Sequence, residues 1–182
     1  PLTVLEPENS FLHKVKEVAH HNKALLIFDE IITGYRFAIG GAQEVTGVIP
    51  DLATYGKGIS NGVPLSAIAG KKEYMFALEK TFFSCTYGGD CIGLSAAKAC
   101  IQKIKQKNVP KHITEIGSLL KKNFNALANQ YNLTEFINCV GFPCRSVISF
   151  DGLNHFDPLE MKSYFQQELV RRGILWTGYH AL

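Results

Sequence analysis

The sequence has no large excess of charge, no paired-cysteine motif and no long apolar run. Its 182 residues carry 19 lysines and arginines against 16 aspartates and glutamates, a formal net charge of +3. So small a charge does not indicate a nucleic-acid or membrane-surface partner. No apolar run reaches the roughly 18 residues of a membrane-spanning helix, and no signal peptide is recognisable. We therefore expect a cytoplasmic protein.

The cysteines and histidines do not form recognisable metal-binding or disulfide patterns. None of the five cysteines is spaced as a CxxC pair, so we expect reduced thiols and not a disulfide framework. His20 and His21 fall at the polar end of a predicted helix, without a carboxylate or cysteine partner in register. They are therefore interpreted as surface histidines, and no metal site is predicted.

The apolar pattern predicts an α/β protein in two parts. Residues 1–107 alternate strand-like and helical segments and are predicted to be part of a large, mostly parallel-sheet domain. Residues 108–182 contain two helical segments around a strand candidate, 146–150, and are predicted to start a smaller α+β domain. A further strand is predicted from residue 174. Because both ends of the chain lie within apolar, strand-like runs, we expect a piece of a longer protein with both domains incomplete.

Local signals predict several element boundaries. Ser10 is predicted to cap a helix over residues 11–22, and Asp90 a long helix over 91–107. The continuous apolar run of residues 24–28 predicts a buried strand, which in a parallel sheet is covered on both faces.

Asp29 directly follows this strand. In open α/β sheets, ligands bind at the carboxyl ends of the strands. A carboxylate there can hold the protonated ring nitrogen of pyridoxal 5'-phosphate (PLP), because a nearby anion favours the charged form. Carboxylates at strand ends also bind metals or ribose hydroxyls, or bind no ligand at all. Asp29 alone therefore does not identify the ligand.

Lys57 lies between Gly56 and Gly58. A backbone without side chains on either side lets a cofactor approach closely, and a desolvated lysine amine is a nucleophile suited to a Schiff base. The commoner explanation of an isolated Gly-Lys-Gly is an exposed turn. A nucleotide-binding phosphate loop is not indicated, because the chain has no GxxxxGK[ST] motif.

Thr86 stands four residues before the predicted helix cap Asp90, with two glycines between them. A hydroxyl and bare backbone N–H groups at the start of a helix can bind an anion such as phosphate. Asp90 is itself an anion, so simple helix capping explains the segment at least as well.

The sequence that contains these three features resembles a known protein family. The segments similar to class III aminotransferases are Leu25–Arg36, Gly40–Gln43, Gly47–Leu52 and Tyr55–Gly58. Within that family the chain most resembles the glutamate-1-semialdehyde aminomutase branch. The resemblance implies the PLP-dependent transferase fold type I, PLP as cofactor, and a homodimer with a site at the subunit interface.

The resemblance also implies roles for individual residues. Asp29 pairs with the ring nitrogen, Ile31 packs on one ring face, and Lys57 forms the Schiff base and later carries the proton. Thr86 matches the residue that reaches the cofactor phosphate of the partner subunit. Glu6 matches, less closely, a glutamate near the substrate.

Three functions follow as hypotheses. The first is a PLP-dependent aminotransferase that acts on small amine and carbonyl substrates, with an amino or amino-sugar-like compound as the substrate. The second is an aminomutase of the glutamate-1-semialdehyde type, although Tyr87–Asp90 departs from the aminomutase pattern. The third is a non-catalytic fragment or accessory subunit that keeps part of the PLP site, because the family's upstream phosphate loop has no counterpart in this sequence. A nucleotide-binding α/β domain would need a glycine-rich strand-to-helix turn, which the sequence lacks.

Overall fold

The computed structural model of the protein describes residues 7–8, 10–82, 86–152 and 156–178. The described chain forms two compact units, one of residues Pro7–Lys111 and one that begins at His112. The domain boundary after residue 107, inferred from the sequence, stays a prediction. None of the described helices is long and apolar enough to cross a membrane.

The described part of the first unit combines a small sheet with four helices. The strands are β1 (Ile27–Asp29), β2 (Leu52–Tyr55) and β3 (Ala67–Gly70), and the helices are α1 (Phe11–His21), α2 (Ala42–Thr46), α3 (Lys72–Met75) and α4 (Cys91–Lys107). Short 3-10 turns lie at Lys57–Ile59 and Phe76–Lys80. The strands are ordered β1-β2-β3, with β1 parallel and β3 antiparallel to β2.

The β1 strand is shorter and more exposed than its apolar sequence predicts. Ala53 in β2 is buried, as is Leu26 just before β1, but Ile27 is 56% exposed. The prediction of a strand covered on both faces is therefore wrong for the described residues. The physical reason is that the Ile27 side chain points to a face of the sheet that the other described residues leave largely uncovered.

The predicted helix caps have different outcomes. Asp90 is the N-cap of α4, and its Oδ2 accepts a hydrogen bond from the Gly93 N–H at 2.8 Å, which confirms the prediction. Ser10 precedes α1, but its side chain makes no capping bond. Its φ of 63° is left-handed, whereas a capping serine needs an extended backbone to reach the first amides.

A buried carboxylate ties the amino ends of β1 and β2 together. Asp51, just before β2, is 1% exposed. It accepts hydrogen bonds from the Leu26 N–H (2.8 Å) and His20 Nε2 (2.8 Å) and forms an ion pair with Lys71 Nζ at 2.6 Å. Burial alone would raise the pKa of Asp51, but the hydrogen bonds from Lys71, Leu26 and His20 outweigh burial and hold the pKa well below its ordinary value. His20 therefore has the carboxylate partner that its sequence context did not reveal.

The second unit contains a β-hairpin, most of a long helix and a shorter helix. Its elements are β4 (Ile137–Phe142), β5 (Arg145–Phe150), α5 (Val109–Gln130) and α6 (Pro158–Arg171). The two strands pair antiparallel from Ile137 opposite Phe150 to Phe142 opposite Arg145. The strand predicted from residue 174 is not formed, because these residues have no ladder partner among the described strands.

Helix α5 packs closely against this hairpin. An added Cβ at Gly117 would lie 1.8 Å from the carbonyl oxygen of Pro143, so the contact requires glycine. Further along the helix, Asn125 donates from Nδ2 to the Cys139 carbonyl (3.0 Å) and accepts the Cys139 N–H at 2.7 Å. These paired bonds attach the helix to the outer side of β4.

Four aromatic side chains form a cluster in the second unit. The Phe165 ring in α6 lies 5.4 Å from Trp176, 5.6 Å from Phe150 and 6.2 Å from Phe124, measured between ring centroids. Its edge-to-face contacts with Trp176 and Phe124 are a favourable geometry for aromatic pairs. The cluster thus connects α5, β5, α6 and the segment after α6.

Candidate active site

Asp29 is the last residue of β1, at the carboxyl end of the sheet. Its Oδ1 accepts hydrogen bonds from the Ile31 N–H at 3.0 Å and from the Thr54 hydroxyl at 3.3 Å. Thr54 lies directly opposite Asp29 in the neighbouring parallel strand. The side chain is exposed, and no described residue donates a hydrogen bond to Oδ2. One carboxylate oxygen is thus fixed, and the other is open to a ligand.

Lys57 follows β2 after one intervening glycine. Gly56 has an extended backbone, and Lys57 then turns into the left-handed region with φ at 43°, at the start of the 3-10 turn. The turn closes through bonds from the Ile59 N–H to Gly56 O and from the Asn61 N–H to Lys57 O, both 3.1 Å. The side chain of Lys57 is exposed. A non-glycine residue in this backbone region is uncommon and often marks a functional position.

Contacts with neighbouring residues hold the backbone of the turn that carries Lys57. Ile59 and Ser60 are buried, and the Ser60 hydroxyl donates to the Val63 carbonyl. The Cys100 thiol of α4 donates to the Gly58 carbonyl at 3.3 Å. These contacts fix the backbone while leaving the lysine amine on the surface.

Ile31 lies beside the Lys57 turn. The side chain is half-buried, and an added Cβ at Gly56 would be 3.5 Å from Ile31 Cγ2. Because β1 and β2 are parallel neighbours, their carboxyl ends lie side by side. The structure therefore brings three predicted residues, Asp29, Ile31 and Lys57, to the carboxyl end of the sheet.

The other two predicted residues are not joined to this group. Thr86 is exposed in the turn before α4, and no hydrogen bond links it to Asp29 or Lys57. The open anion site considered for this loop is partly filled by the Asp90 carboxylate, which accepts the Gly93 N–H. Glu6 lies outside the described residues.

A buried network behind the site went unrecognised in the sequence. Glu30, directly after Asp29, is 1% exposed. Its carboxylate accepts the N–H groups of Ala42 and Gln43, both at 3.0 Å, and the hydroxyl of Thr33. Gln43 Nε2 donates to the Tyr55 hydroxyl at 2.8 Å. The sequence signal was Gln43 itself, which lies in a segment resembling the family but had no assigned role.

The ring of Tyr35 lies beside the ring of Tyr55. The Tyr35 and Tyr55 rings are 6.0 Å apart between centroids. Burial raises the pKa of Tyr55, and the Glu30 carboxylate raises it further, against a lowering by the hydrogen bond from Gln43. Burial also raises the pKa of Tyr35. Both phenols are therefore neutral near pH 7.

No group of three or more metal-binding side chains occurs within the described ranges. The arrangement instead combines an anchored carboxylate, a surface amine and an aliphatic side chain near the amine's backbone.

A sequence model of one enzyme family covers nearly the whole chain. The model described as "Aminotransferase class-III" matches residues 3–180. The chain belongs to the class III aminotransferases. Enzymes of this family use PLP, which confirms the predicted family and cofactor at that level.

Several solved structures resemble this chain in fold. An omega-transaminase from Sphaerobacter thermophilus has a TM-score of 0.82 at 23% identity, covering 97% of this chain and 43% of its own. A beta-phenylalanine aminotransferase from Variovorax paradoxus gives 0.84 at 22% identity, covering 98% and 44%. The FumI protein of Sphingopyxis sp. MTA144, in its PLP internal aldimine form, gives 0.83 at 20% identity, covering 93% and 40%.

These likenesses confirm the predicted fold, the PLP-dependent transferase fold type I with mixed α/β content. The chain spans about two fifths of the length of the aminotransferase structures that it matches.

In this class III chain, the residues at the carboxyl end of the sheet fit PLP. The open oxygen of Asp29 suits a protonated ring nitrogen, the exposed Lys57 amine suits the cofactor carbonyl, and the half-buried Ile31 offers an apolar surface for a planar ring. The phosphate of PLP is not accounted for by these three side chains.

Proposed function

We propose that this chain carries the cofactor-anchoring residues of a PLP-dependent aminotransferase. The observation that carries the proposal is that Asp29 ends β1 and Lys57 closely follows the adjacent parallel strand β2, so both lie at the carboxyl end of the sheet. Membership of the class III family supports the same chemistry.

Four residues have proposed roles in holding PLP. Asp29 keeps the ring nitrogen protonated, because an adjacent anion favours the charged form. Thr54 and the Ile31 N–H orient the Asp29 carboxylate by bonding its Oδ1. Ile31 covers one ring face, and Lys57 holds the cofactor carbonyl carbon through its amine.

Lys57 is also the proposed proton carrier. When bound, PLP supplies an electron sink for the electron pair left on a substrate carbon that loses its proton. With PLP bound, the amine of Lys57 would take the proton from the substrate α-carbon as a general base and would later release it as a general acid. Transfer of an amino group between two small molecules would use this proton transfer twice, once with the amine donor, which leaves as a carbonyl product, and once in reverse with the carbonyl acceptor.

Thr86 and Glu6 have proposed roles at the borders of the site. Thr86 would bind the cofactor phosphate of a partner subunit, which agrees with its position on an exposed turn. Glu6 would lie near the substrate. Both assignments rest on the family resemblance.

Covalent trapping tests the assignment of Lys57. The protein is incubated with PLP and reduced with borohydride, and its peptides are analysed by mass spectrometry. We expect one modified peptide containing Lys57, its loss in Lys57→Ala, and its retention in Lys72→Ala, a control for another exposed lysine. Equal labelling of many lysines, unaffected by Lys57→Ala, would contradict the proposal and favour a non-catalytic fragment or accessory subunit.

Asp29→Asn tests the ring anchor in the same system. Losing a charged hydrogen bond to the ring nitrogen should weaken PLP binding about tenfold. Thr54→Val should weaken it less, because it removes one of the two donors that orient the carboxylate. An unchanged affinity in Asp29→Asn would contradict the anchoring role.

An aminomutase is the second candidate, favoured by the resemblance of the sequence to the glutamate-1-semialdehyde aminomutase branch. An aminotransferase exchanges amino groups between an amine donor and a separate carbonyl acceptor. An aminomutase instead converts a single substrate without an acceptor. Product analysis with and without a keto acid distinguishes the two.

We further propose a cytoplasmic homodimer, with the family resemblance as support. Light scattering coupled to size-exclusion chromatography should give about twice the chain mass of 20.2 kDa. A mass equal to one chain would contradict the dimer.

A further inference from the structure

Gln43 connects the backbones that carry the two proposed cofactor anchors. Its side-chain nitrogen donates to the Tyr55 hydroxyl at 2.8 Å and lies 3.5 Å from Glu30 Oε1. Glu30 directly follows Asp29, and Tyr55 precedes Lys57 by two residues. The side-chain amide of Gln43 therefore links the carboxyl end of β1 to that of β2, where the two anchors lie.

The network occupies the face of the strands opposite the ligand-facing side chains. Side chains alternate along a strand, so Asp29 and Thr54 point to one face and bond each other, while Glu30 and Tyr55 point to the other. Gln43 bonds Glu30 and Tyr55 on the face opposite Asp29, so an effect of Gln43 on the two anchors passes through the backbone.

The network is tightly packed around the Glu30 carboxylate. Glu30 is 1% exposed, and a Cβ added at Gly41 would lie 2.6 Å from its Oε2. Gly41 also has a φ of 78°, which side-chain-bearing residues rarely adopt. With the Ala42 and Gln43 N–H groups bound to Glu30, the start of α2 has little freedom, and the Gln43 side chain is held in place for Tyr55.

We propose that Gln43 is a positioning residue, which fixes the Lys57 turn relative to Asp29 through its hydrogen bond to Tyr55. Without that bond, the backbone after Tyr55 loses a constraint just before Lys57 adopts its left-handed conformation. Lys57 and Asp29 must hold the same cofactor molecule, so a change in their separation weakens its binding. This inference rests on the proposed function.

Two substitutions each remove the hydrogen bond between Gln43 and Tyr55, one by changing the donor and one by changing the acceptor. Gln43→Leu keeps the approximate size without the amide, and Tyr55→Phe keeps the ring without the hydroxyl. Glu44→Gln is the matched control, because Glu44 is the next residue of α2, is exposed and bonds the Gly40 N–H instead.

Two readouts are measured on each variant. The first is amide hydrogen exchange of the cofactor-free protein at Ile59 and Asn61, whose N–H groups close the Lys57 turn. The second is the dissociation constant of PLP, from the visible absorption of PLP joined to an amine. We expect Gln43→Leu and Tyr55→Phe each to speed the exchange and to weaken PLP binding about three- to tenfold, the worth of one hydrogen bond.

The double variant makes the test specific. Because each substitution deletes the same bond, Gln43→Leu combined with Tyr55→Phe should weaken PLP binding no more than the stronger single variant. Glu44→Gln should match the wild type in both readouts.

Unchanged exchange at Ile59 and Asn61 in the single variants overturns the positioning role. Faster exchange with unchanged PLP affinity also overturns it, since Gln43 would then have a structural role alone. If wild type and Lys57→Ala give the same absorption with PLP, the proposed function fails, and this inference fails with it. Unchanged variants beside a Lys57-dependent wild-type signal refute the positioning role alone.

Discussion

Replacing Asp51 with alanine should destabilise the first unit. The Asp51 carboxylate is 1% exposed and binds three donors from separate segments, namely the Leu26 N–H, His20 and Lys71. Truncation leaves the Leu26 amide without its partner and separates α1 from the start of β2. The loss of a buried acceptor with several donors is among the more damaging single changes a protein can undergo.

The loss of stability in Asp51→Ala depends on how well each former partner of Asp51 can be hydrated by water. Breaking a buried ion pair typically costs about 3–5 kcal/mol. The side chains of His20 and Lys71 are 40% and 46% exposed, so both regain hydration once Asp51 is gone. We therefore expect a loss of about 2–3 kcal/mol in the free energy of unfolding for Asp51→Ala at pH 7, with much of it from the unpaired Leu26 N–H.

The pH dependence has a definite sign. The pKa of Asp51 in the folded protein lies below its ordinary value, so the unfolded chain binds this proton more readily. The stabilisation is fully present above about pH 4, near the unfolded-state pKa, and is lost as the pH falls through the folded-state value. The difference between wild type and Asp51→Ala should therefore shrink as the pH is lowered below about 4.

Urea unfolding followed by circular dichroism measures the effect at several pH values, and amide exchange at Leu26 reports on it locally. Glu17→Ala is the control, because it removes an exposed carboxylate from α1, and it should change stability by less than about 0.5 kcal/mol. The reasoning would be refuted if Asp51→Ala unfolded at the wild-type urea concentration with an equally protected Leu26 amide.

Two further predictions concern the second unit. Gly117→Ala should cost about 2 kcal/mol or more, because the new Cβ would lie 1.8 Å from the Pro143 carbonyl oxygen; urea unfolding should show little change in the neighbouring exposed control Ser118→Ala, and equal effects would contradict the packing argument. Phe165→Ala should cost about 3 kcal/mol, since it removes the ring that contacts three other aromatic side chains. The fluorescence of Trp176, the only tryptophan of the chain, should change in the folded protein, and an unchanged spectrum and unfolding midpoint would count against the cluster.

The sequence was informative where a feature depends on neighbouring residues. The apolar run before Asp29 predicted its position at a strand end, and Asp90 was recognisable as a cap because the helical pattern starts directly after it. The glycines around Lys57 indicated a turn, and the structure has one. The functional roles of Asp29, Ile31, Lys57, Thr86 and Glu6 stay predictions.

Features that depend on distant residues were not predictable. His20 and Asp51 are 31 positions apart, and Gln43 and Tyr55 are 12 apart. No local pattern specifies such pairs, since they form only when the intervening chain folds back. The missed strand β4 contains asparagine and glycine, which favour strands poorly, and its structure depends on pairing with β5. The opposite error occurred at residues 174–176, where apolar residues have no neighbouring strand.

The pair of hydrogen bonds between Asn125 and Cys139 has a consequence for the solution behaviour of the protein. An edge strand with free N–H and C=O groups can pair with a strand of another molecule and so start aggregation. At Cys139 both groups are already bound by the side chain of a helix, in the way that a neighbouring strand would bind them. At this position, a single asparagine therefore blocks strand addition from another chain, and its loss would open a route to self-association as well as weaken the fold.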